Sequence, residues 1–347
     1  MNNNLEISVE NGVGVICLNR PEAINALTPH MMQGIHAILL KWAEDDAVRL
    51  VLFEGKGERG FCAGGDVRWT RDLVLGGEQA EAFDFFALEY DMNRMIATYA
   101  KPIVALTHGV VMGGGLGLAG HAKHRITTEN SRFAMPEAAI GYFCDVGVRS
   151  ILARTHRHQA LMFILAGSLV SAIDGVLLGL TDTVILENGY SAMREGIIAA
   201  GGAMDVDANI VALRSTFGIS YGFANFCKLA DQFAAVFAPE SALEIYANLE
   251  AEISKNSDLA EVASVILSRC PTSNLVHVLG LDAARNEPDI SEVLAADLRL
   301  AHFLAVRDDF VEGVRAVLID KDHKPKWQPD TLSRVDENAI ILALRQK

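Results

Sequence analysis

Apolar and polar positions along the first half of the chain predict strands and helices in turn. Residues 5–9 and 13–18 are short strand candidates on either side of Asn11-Gly12, a dipeptide typical of a tight hairpin turn. Thr28 followed by Pro29 has the form of a helix N-cap and its first helical residue. Apolar residues then recur at helical spacing, so the sequence predicts a hairpin followed by an amphipathic helix.

Three more strand candidates and one long helix continue this alternation. The strands are predicted at residues 49–54, 102–106 and 126–128, and the helix at residues 78–98. Because the connection between two parallel strands usually contains a helix, this order predicts an α/β fold with a parallel sheet.

The pattern changes beyond about residue 186, where strand signals fade and helical stretches rich in alanine and leucine dominate. These helices are predicted at residues 239–254, 258–268 and 290–307. The glycine-rich stretch 199–204 is the best linker candidate. We therefore predict an α/β core over residues 1–200 and a mainly helical region over residues 201–347.

The balance of charged residues argues against one class of partner, the nucleic acids. The 347 residues include 44 acidic and 30 basic side chains, which gives a formal net charge of −14. Proteins that bind a nucleic-acid backbone normally carry a basic surface, so we expect no nucleic-acid partner. The long apolar stretches 102–120 and 160–186 are interrupted by glycines or by aspartates, so we expect buried core there and no membrane span.

The five cysteines favour a reducing, intracellular setting. They are widely separated, and no two have the C-x-x-C spacing of a zinc or redox site. The first residues lack the basic segment and apolar run of a secretory signal peptide. We therefore expect a cytoplasmic protein, and the sequence contains no H-E-x-x-H pattern of metal ligands.

Two glycine-rich segments follow strand candidates, Phe61-Cys-Ala-Gly-Gly-Asp66 and Met112-Gly-Gly-Gly-Leu-Gly117. Clustered glycines let a ligand approach main-chain N–H groups, and two such loops could aim two donors at one oxygen, as in an oxyanion hole. The other interpretation is that both are turns needed for close packing. A dinucleotide fingerprint at residues 115–120 is disfavoured, because no acidic residue clearly ends a strand about 20 residues further on.

A third segment, residues 133–147, places two carboxyl groups in unusually apolar company. Glu137 and Asp145 are the two acidic residues in this stretch. A carboxyl group in such surroundings tends to have a raised pKa, as a general acid or base needs. The alternative interpretation is that each residue caps a helix or pairs with a nearby arginine, such as Arg149.

In combination, these segments resemble the crotonase superfamily, which contains the enoyl-CoA hydratases and isomerases. The matching stretches are residues 18–21, 25–27, 61–66, 101–105, 108–115, 133–137 and 140–141. They cover roughly residues 5–185 in the order typical of that superfamily. The resemblance implies a crotonase-type ββα spiral core with a mainly helical C-terminal part. Within the superfamily, residues 140–147 and 309–327 look most like its thioester-hydrolase branch.

This resemblance implies the hydrolysis of an acyl-CoA thioester. The N–H groups of Gly65 and Gly114 would form the oxyanion hole and hold the thioester oxygen. Glu137 would attack the carbonyl carbon or activate a water molecule. Asp145 would bind the substrate hydroxyl or help to transfer protons. Both a tetrahedral intermediate and an enolate place charge on the same oxygen, so one hole serves either chemistry.

The resemblance also implies a substrate class. It is 3-hydroxyisobutyryl-CoA or a related short branched 3-hydroxyacyl-CoA, the kind of thioester that valine catabolism produces. Glu89 and Ala63 would contact this substrate, and Lys321 would meet a phosphate of coenzyme A. Coenzyme A is then part of the substrate, and no metal or other cofactor is expected. The superfamily further suggests a homo-oligomer built on trimers.

Two features bear on the choice between this function and its alternatives. Gly117 stands where hydratases carry one of their two catalytic glutamates, which favours hydrolysis. Cys144 and Val148-Arg149-Ser150 depart from the hydrolase pattern, and Arg149 brings a charge that would pair with Asp145 or reshape the acyl pocket. The alternatives are a hydratase or isomerase that acts on a 2-enoyl thioester, and a non-catalytic protein that binds acyl-CoA.

Overall fold

The computed structural model describes residues 4–220 and 222–345 and contains both strands and helices. The strands are β1 (Leu5–Glu10), β2 (Val13–Leu18), β3 (Leu50–Gly55), β4 (Gly60–Cys62), β5 (Ile103–Thr107), β6 (Val110–Met112), β7 (His124–Thr128), β8 (Arg132–Ala134), β9 (Val170–Ser171), β10 (Thr183–Ile185) and β11 (Gly218–Ile219). The helices are α1 (Pro29–Ala43), α2 (Val67–Gly76), α3 (Gln79–Ala97), α4 (Gly114–Ala119), α5 (Val148–Leu152), α6 (Arg157–Ala166), α7 (Ala172–Leu177), α8 (Tyr190–Gly201), α9 (Val206–Phe217), α10 (Asn225–Gln232), α11 (Ala242–Ile253), α12 (Ser257–Ser268), α13 (Pro271–Arg285), α14 (Ile290–Ala305), α15 (Asp308–Val314) and α16 (Glu337–Arg345).

The predicted hairpin and the helix after it are both confirmed. Strands β1 and β2 pair in antiparallel fashion, and the turn between them holds Asn11 at φ 49° and Gly12 at φ 79°. Positive φ at both central residues is what a tight hairpin of this kind requires. The Thr28 side chain accepts a hydrogen bond from the Met31 N–H and so caps α1, in which Pro29 is the first residue.

A parallel ladder forms the centre of the larger sheet, as the sequence predicted. The strand order is β1-β2-β3-β5-β7-β10-β11, and every neighbouring pair from β2 to β10 is parallel. All six residues of β2 are buried, because a parallel sheet is normally covered on both faces. A core that includes Val15, Leu52, Val104 and Ile126 packs against α8 and α9. A smaller sheet has the order β4-β6-β8-β9.

The chain divides into two compact units, and neither is one continuous stretch. The first comprises the chain up to Gly65, Asp91–Phe133 and Val170–Ala224, and it contains the larger sheet. The second comprises Asp66–Tyr90, Ala134–Leu169 and the chain from Asn225. This division differs from the boundary predicted at residue 200. The reason is that residues 66–90 and 134–169 pack with the C-terminal helices.

The second unit is mainly helical, as predicted for the C-terminal part. Its helix α13 is buried along most of its length and packs against α5, α6 and α16. Arg157 on α6 reaches Asp282 on α13 through two hydrogen bonds of 2.7 Å. Within the described part of the chain, no helix is both long and apolar enough to cross a membrane.

The sequence-based assignment missed the shortest elements. Strands β6, β8, β9 and β10 have two or three residues each, which is too short to show an alternating pattern. Strand β4 lies inside residues 57–66, which the clustered glycines had indicated as a loop. The predicted linker at 199–204 begins within the last turn of α8 and continues into the turn before α9.

We predict that Leu52→Ala destabilises the protein by about 2–5 kcal/mol, because Leu52 is fully buried in the core of the larger sheet. Urea denaturation gives the free energy of unfolding. Leu40→Ala is the matched control, since Leu40 lies on α1 and is 53% exposed, and its effect should stay within about 0.5 kcal/mol. Equal losses for the two variants would contradict the assigned core.

Candidate active site

The two glycine-rich loops meet in the first unit. Strands β4 and β6 are neighbours and run parallel, so the loops that follow them start at the same edge of the sheet. A β-carbon built on Gly64 would lie 3.5 Å from the Gly114 nitrogen, and one on Gly115 would lie 2.6 Å from the Cys62 carbonyl oxygen. The short contact requires glycine at 115, and at 64 glycine is favoured by its φ of 107°, so the packing interpretation accounts for both glycines.

Loops in contact could also bring two main-chain N–H groups towards one oxygen, as an oxyanion hole would require. Gly114 is the first residue of α4, so no carbonyl of that helix can accept its N–H. Gly65 lies in a bridge to Leu27, whose N–H donates to the Gly64 carbonyl at 2.8 Å. The Ala63 N–H donates to the Ile24 carbonyl at 2.9 Å. Gly65 and Gly114 as donors to a substrate oxygen, and Ala63 as a substrate contact, remain predictions.

Glu137 lies in the second unit, at the start of a 3₁₀ turn over Glu137–Ile140. The turn is anchored by the C-terminal part of the chain, because the Cys270 N–H donates to the Ala138 carbonyl at 3.1 Å. Gly141, at φ 71°, packs directly on the backbone of Asp309, and Gly313 packs on that of Ile140. The segment that begins at Asp309 therefore packs directly against the turn that carries Glu137.

Asp145 is buried beneath two tyrosines in the same unit. The Tyr90 hydroxyl donates to Asp145 Oδ2 at 2.7 Å, and the hydroxyls of Tyr90 and Tyr142 are 3.0 Å apart. Tyr142 stacks on Phe86, with ring centroids 5.3 Å apart. These aromatic rings exclude water from the Asp145 carboxylate, and the Tyr90 hydroxyl supplies it with a hydrogen bond. The apolar surroundings predicted for Asp145 are thereby confirmed.

Three carboxyl groups share this environment. Glu89 is 3%, Asp145 5% and Glu137 8% exposed, and Glu89 Oε1 and Glu137 Oε2 have no hydrogen-bond partner among the described residues. Burial, followed by the charge of Asp145, raises the pKa of Glu89 and that of Glu137 well above the usual range. Burial also raises the pKa of Asp145 to about 7, against the Tyr90 hydrogen bond, which lowers it.

The raised pKa values have a direct chemical meaning. Three negative charges cannot all form in a poorly hydrated site, so the three carboxyl groups together retain protons near neutral pH. Such a group can give a proton to a leaving atom or take one from water. The alternative interpretation, that Glu137 or Asp145 pairs with an arginine, is not what the structure shows.

Arg149 pairs with a different carboxylate. Its guanidinium is 1% exposed and contacts Asp297 of α14, with Nε 3.0 Å from Oδ1. It also lies over the Phe143 ring, 5.7 Å from the centroid. The expected ion pair between Arg149 and Asp145 is therefore not formed, since the nearer and equally buried Asp297 takes the arginine.

The remaining predicted residues are placed as follows. Cys144 is buried, and burial raises the pKa of its thiol, which is consistent with a packing role. Lys321 is exposed and has a left-handed backbone, with φ 57°, and its contact with a phosphate stays a prediction. Over the described ranges, no cluster of three or more histidine, cysteine or acidic side chains could hold a metal ion.

Four residues of this site were not found from the sequence. Tyr90 directly follows Glu89, and Tyr142 lies between Glu137 and Asp145, so their positions in the motifs were an available signal. His277 on α13 and Asp297 on α14 carry no such signal. They accept hydrogen bonds from the N–H groups of Cys144 and Gly147, which lie more than 130 residues away in the chain.

A sequence model of the enoyl-CoA hydratase/isomerase family matches residues 13–343 of this chain. Among curated proteins, the mitochondrial 3-hydroxyisobutyryl-CoA hydrolase of Xenopus laevis is 35% identical over 331 residues, which is 94% of this chain and 85% of that protein. The protein of the same name from Homo sapiens is 34% identical over 332 residues, covering 94% of this chain and 84% of its own length.

Two solved structures are similar over nearly the whole chain. A carnitinyl-CoA dehydratase from Mycobacterium thermoresistibile has a TM-score of 0.91 at 31% identity and covers 100% of this chain and 97% of its own. An enoyl-CoA hydratase from Rhodobacter sphaeroides has a TM-score of 0.89 at 32% identity and covers 99% and 97%. The predicted crotonase-type fold with its helical C-terminal part is thereby confirmed.

We predict that Asp145→Asn weakens the pH dependence of stability. The folded pKa of about 7 exceeds the ordinary value of 3.8, so the folded protein keeps a proton that the unfolded chain releases. The free energy of unfolding therefore falls as pH rises from 5 to 8, and in the variant it should fall by about 2–3 kcal/mol less.

Urea denaturation at several pH values measures this slope. The exposed Asp330→Asn is the control and should behave as the parent does. A parent slope that survives unchanged in Asp145→Asn would show that Asp145 is already ionised well below neutral pH.

Proposed function

Because the chain belongs to the enoyl-CoA hydratase/isomerase family, we propose that it is an acyl-CoA thioester hydrolase. One observation carries this proposal. Similarity to 3-hydroxyisobutyryl-CoA hydrolases, at 34–35% identity, extends over 94% of the chain, so the aligned region spans the positions of Glu89, Glu137 and Asp145. The buried Gly117, which offers no carboxylate, agrees with hydrolysis.

The proposed substrate is 3-hydroxyisobutyryl-CoA or a related short branched 3-hydroxyacyl-CoA. The relatives named for that substrate support the choice. Asp145 would bind the hydroxyl of the acyl group, and Tyr90 would fix the carboxylate that does so, since its hydroxyl donates to Oδ2. Glu89, with one oxygen buried and unpartnered, is available for a further contact with the substrate.

In the proposed reaction, water and the thioester give a carboxylic acid and the free thiol of coenzyme A. The amides of Gly65 and Gly114 stabilise the thioester oxygen as it gains negative charge. As a nucleophile, ionised Glu137 attacks the carbonyl carbon, the C–S bond breaks, and water then hydrolyses the mixed anhydride that forms. As a base, Glu137 takes a proton from the attacking water, and the acid forms directly. The departing sulfur receives its proton from Asp145 in the first route, because burial raises the pKa of Asp145 to about 7, and from Glu137 in the second. No metal, redox cofactor or other group is required for these steps.

The second candidate is hydration or dehydration of an acyl-CoA. The specific observation in its favour is that the two solved structures described above, with TM-scores of 0.91 and 0.89, are named as a dehydratase and a hydratase. Addition of water to a double bond calls for two carboxyl groups around one water molecule. Glu137 would be one of these two groups, and either Glu89 or Asp145 would be the other.

Localisation and assembly stay predictions. The curated relatives are named mitochondrial, and nothing supports a cytoplasmic location for this chain over a mitochondrial one. A trimer-based assembly is likewise a proposal from the superfamily resemblance.

We predict that the protein releases free thiol from 3-hydroxyisobutyryl-CoA and leaves no enoyl-CoA. A thiol reagent measures the first product, and the absorbance of a conjugated enoyl thioester measures the second. Crotonyl-CoA serves as the hydratase substrate in a parallel reaction. Loss of enoyl absorbance from crotonyl-CoA without thiol release from either compound would favour the hydratase and reject the hydrolase.

We predict that Glu137→Gln lowers kcat for thiol release by about 100- to 10,000-fold, the range that a positioned acid or base contributes. Substrate binding, measured by calorimetry, should stay within a few-fold of the parent because the side chain keeps its size. Glu250→Gln, on an exposed position of α11, is the matched control and should keep full activity. Activity of Glu137→Gln within a few-fold of that control would exclude Glu137 as the catalytic carboxylate.

A further inference from the structure

The loop that carries Asp145 is held from both sides by side chains of the C-terminal helices. The Cys144 N–H, one residue before Asp145, donates to His277 Nε2 of α13 at 2.8 Å. The Gly147 N–H, two residues after Asp145, donates to Asp297 Oδ2 of α14 at 2.8 Å. His277 and Asp297 are both fully buried. Two separate helices therefore fix the backbone on either side of one carboxylate.

This stretch of backbone needs such support. Val146 has φ 49° and Gly147 has φ 73°, both in the left-handed region. For a β-branched residue such as Val146 this conformation is unfavourable by about 1–3 kcal/mol and persists only where the surroundings impose it. The Gly147 N–H directly follows Val146 in the chain, and its hydrogen bond to Asp297 opposes relaxation of the loop.

The charges of the two anchors are fixed by their neighbours. Burial raises the pKa of Asp297, and the charge and hydrogen bonds of Arg149 oppose that rise, while the contact of Arg149 with the Phe143 ring adds a second hold on the same loop. Burial, with the charge of Arg149, lowers the pKa of His277 to about 3. His277 is therefore neutral, and Nε2 presents a lone pair to the Cys144 N–H.

We propose that Asp297, held by Arg149, is a positioning residue that acts through the Gly147 amide to aim Asp145 at the substrate, with His277 as the second anchor. The inference rests on the proposed thioester hydrolysis and deepens it. Arg149, which departs from the hydrolase pattern in sequence, thus holds Asp297 in place and forms no ion pair with Asp145. A displacement of about 1 Å in a reacting group can lower a rate about 100-fold, so the anchor affects kcat more than binding.

The test compares two double variants, Arg149→Met with Asp297→Asn and Arg149→Met with Asp297→Leu. Both remove the buried charges together, so neither leaves a lone charge, and replacement of such a pair by apolar groups is often neutral for folding. Asparagine and leucine have similar sizes, but only asparagine can accept the Gly147 N–H. The comparison therefore isolates one hydrogen bond to the Asp145 loop.

We expect kcat for thiol release to be at least about 10-fold lower in the leucine form than in the asparagine form, with KM values within about threefold of each other. Hydrogen exchange of the amides in residues 143–149, followed by mass spectrometry, should be faster in the leucine form only. Melting temperatures should differ by no more than the few degrees that one buried hydrogen bond is worth.

The Arg157–Asp282 pair is the matched control. It joins α6 to α13 in the same unit, and Asp282 accepts one guanidinium bond on each carboxylate oxygen, whereas both Arg149 bonds end on Oδ1 of Asp297. Arg157→Met with Asp282→Asn and Arg157→Met with Asp282→Leu should have equal kcat values. A purely structural role for Asp297 predicts that the two pairs of variants behave alike, and that result would overturn the proposal.

The failure of this proposal is distinguishable from that of the proposed function. If the parent releases thiol and the Asp297 leucine and asparagine forms do not differ in kcat, the positioning role is wrong. If the parent hydrolyses no thioester, the proposed function is wrong, and the exchange rates alone decide whether Asp297 holds the loop. Should the leucine form not fold, His277→Leu against His277→Gln makes the same comparison at the other anchor, because glutamine can still accept the Cys144 N–H.

Discussion

The burial of three carboxyl groups in one poorly hydrated site is the constraint on which the rest of the second unit depends. Glu89, Glu137 and Asp145 are each less than 10% exposed. Removal of a carboxylate from water is unfavourable unless hydrogen bonds or opposite charges compensate it. Here the Tyr90 hydroxyl donates to Asp145, and among the described residues no arginine forms an ion pair with any of the three carboxyl groups. The group therefore retains protons near neutral pH, which is the property that acid and base chemistry needs.

The C-terminal region supports the backbone of the two segments that carry Glu137 and Asp145. The turn with Glu137 packs on α15 through the glycines at 141 and 313, and the loop with Asp145 is tied to α13 and α14. Irregular backbone carries both carboxyl groups, and irregular backbone has few hydrogen bonds of its own. The regular helices around it supply the missing partners. In the first unit the solution differs, since two parallel strands bring the glycine-rich loops together at one edge.

Local patterns predicted the parts of the fold that local interactions determine. The hairpin at Asn11-Gly12, the cap at Thr28 and the parallel order of the longer strands could all be predicted from the sequence. The burial of Glu137 and Asp145 also followed from their apolar neighbours. The partner of Arg149 could not be predicted, because Asp297 lies 148 residues away and meets it only once α5 and α14 have packed. The discontinuous units escaped prediction for the same reason.

The most direct test of the central claim is a carboxyl titration by nuclear magnetic resonance of protein labelled with ¹³C in its aspartate side chains. Asp145→Asn assigns the signal by its loss. The account predicts that the Asp145 carboxyl titrates near pH 7, since burial raises its pKa to about 7. Titration of that signal at the ordinary aspartate value, near pH 4, would contradict the account, because the carboxyl group would then be hydrated and unable to hold a proton at neutral pH.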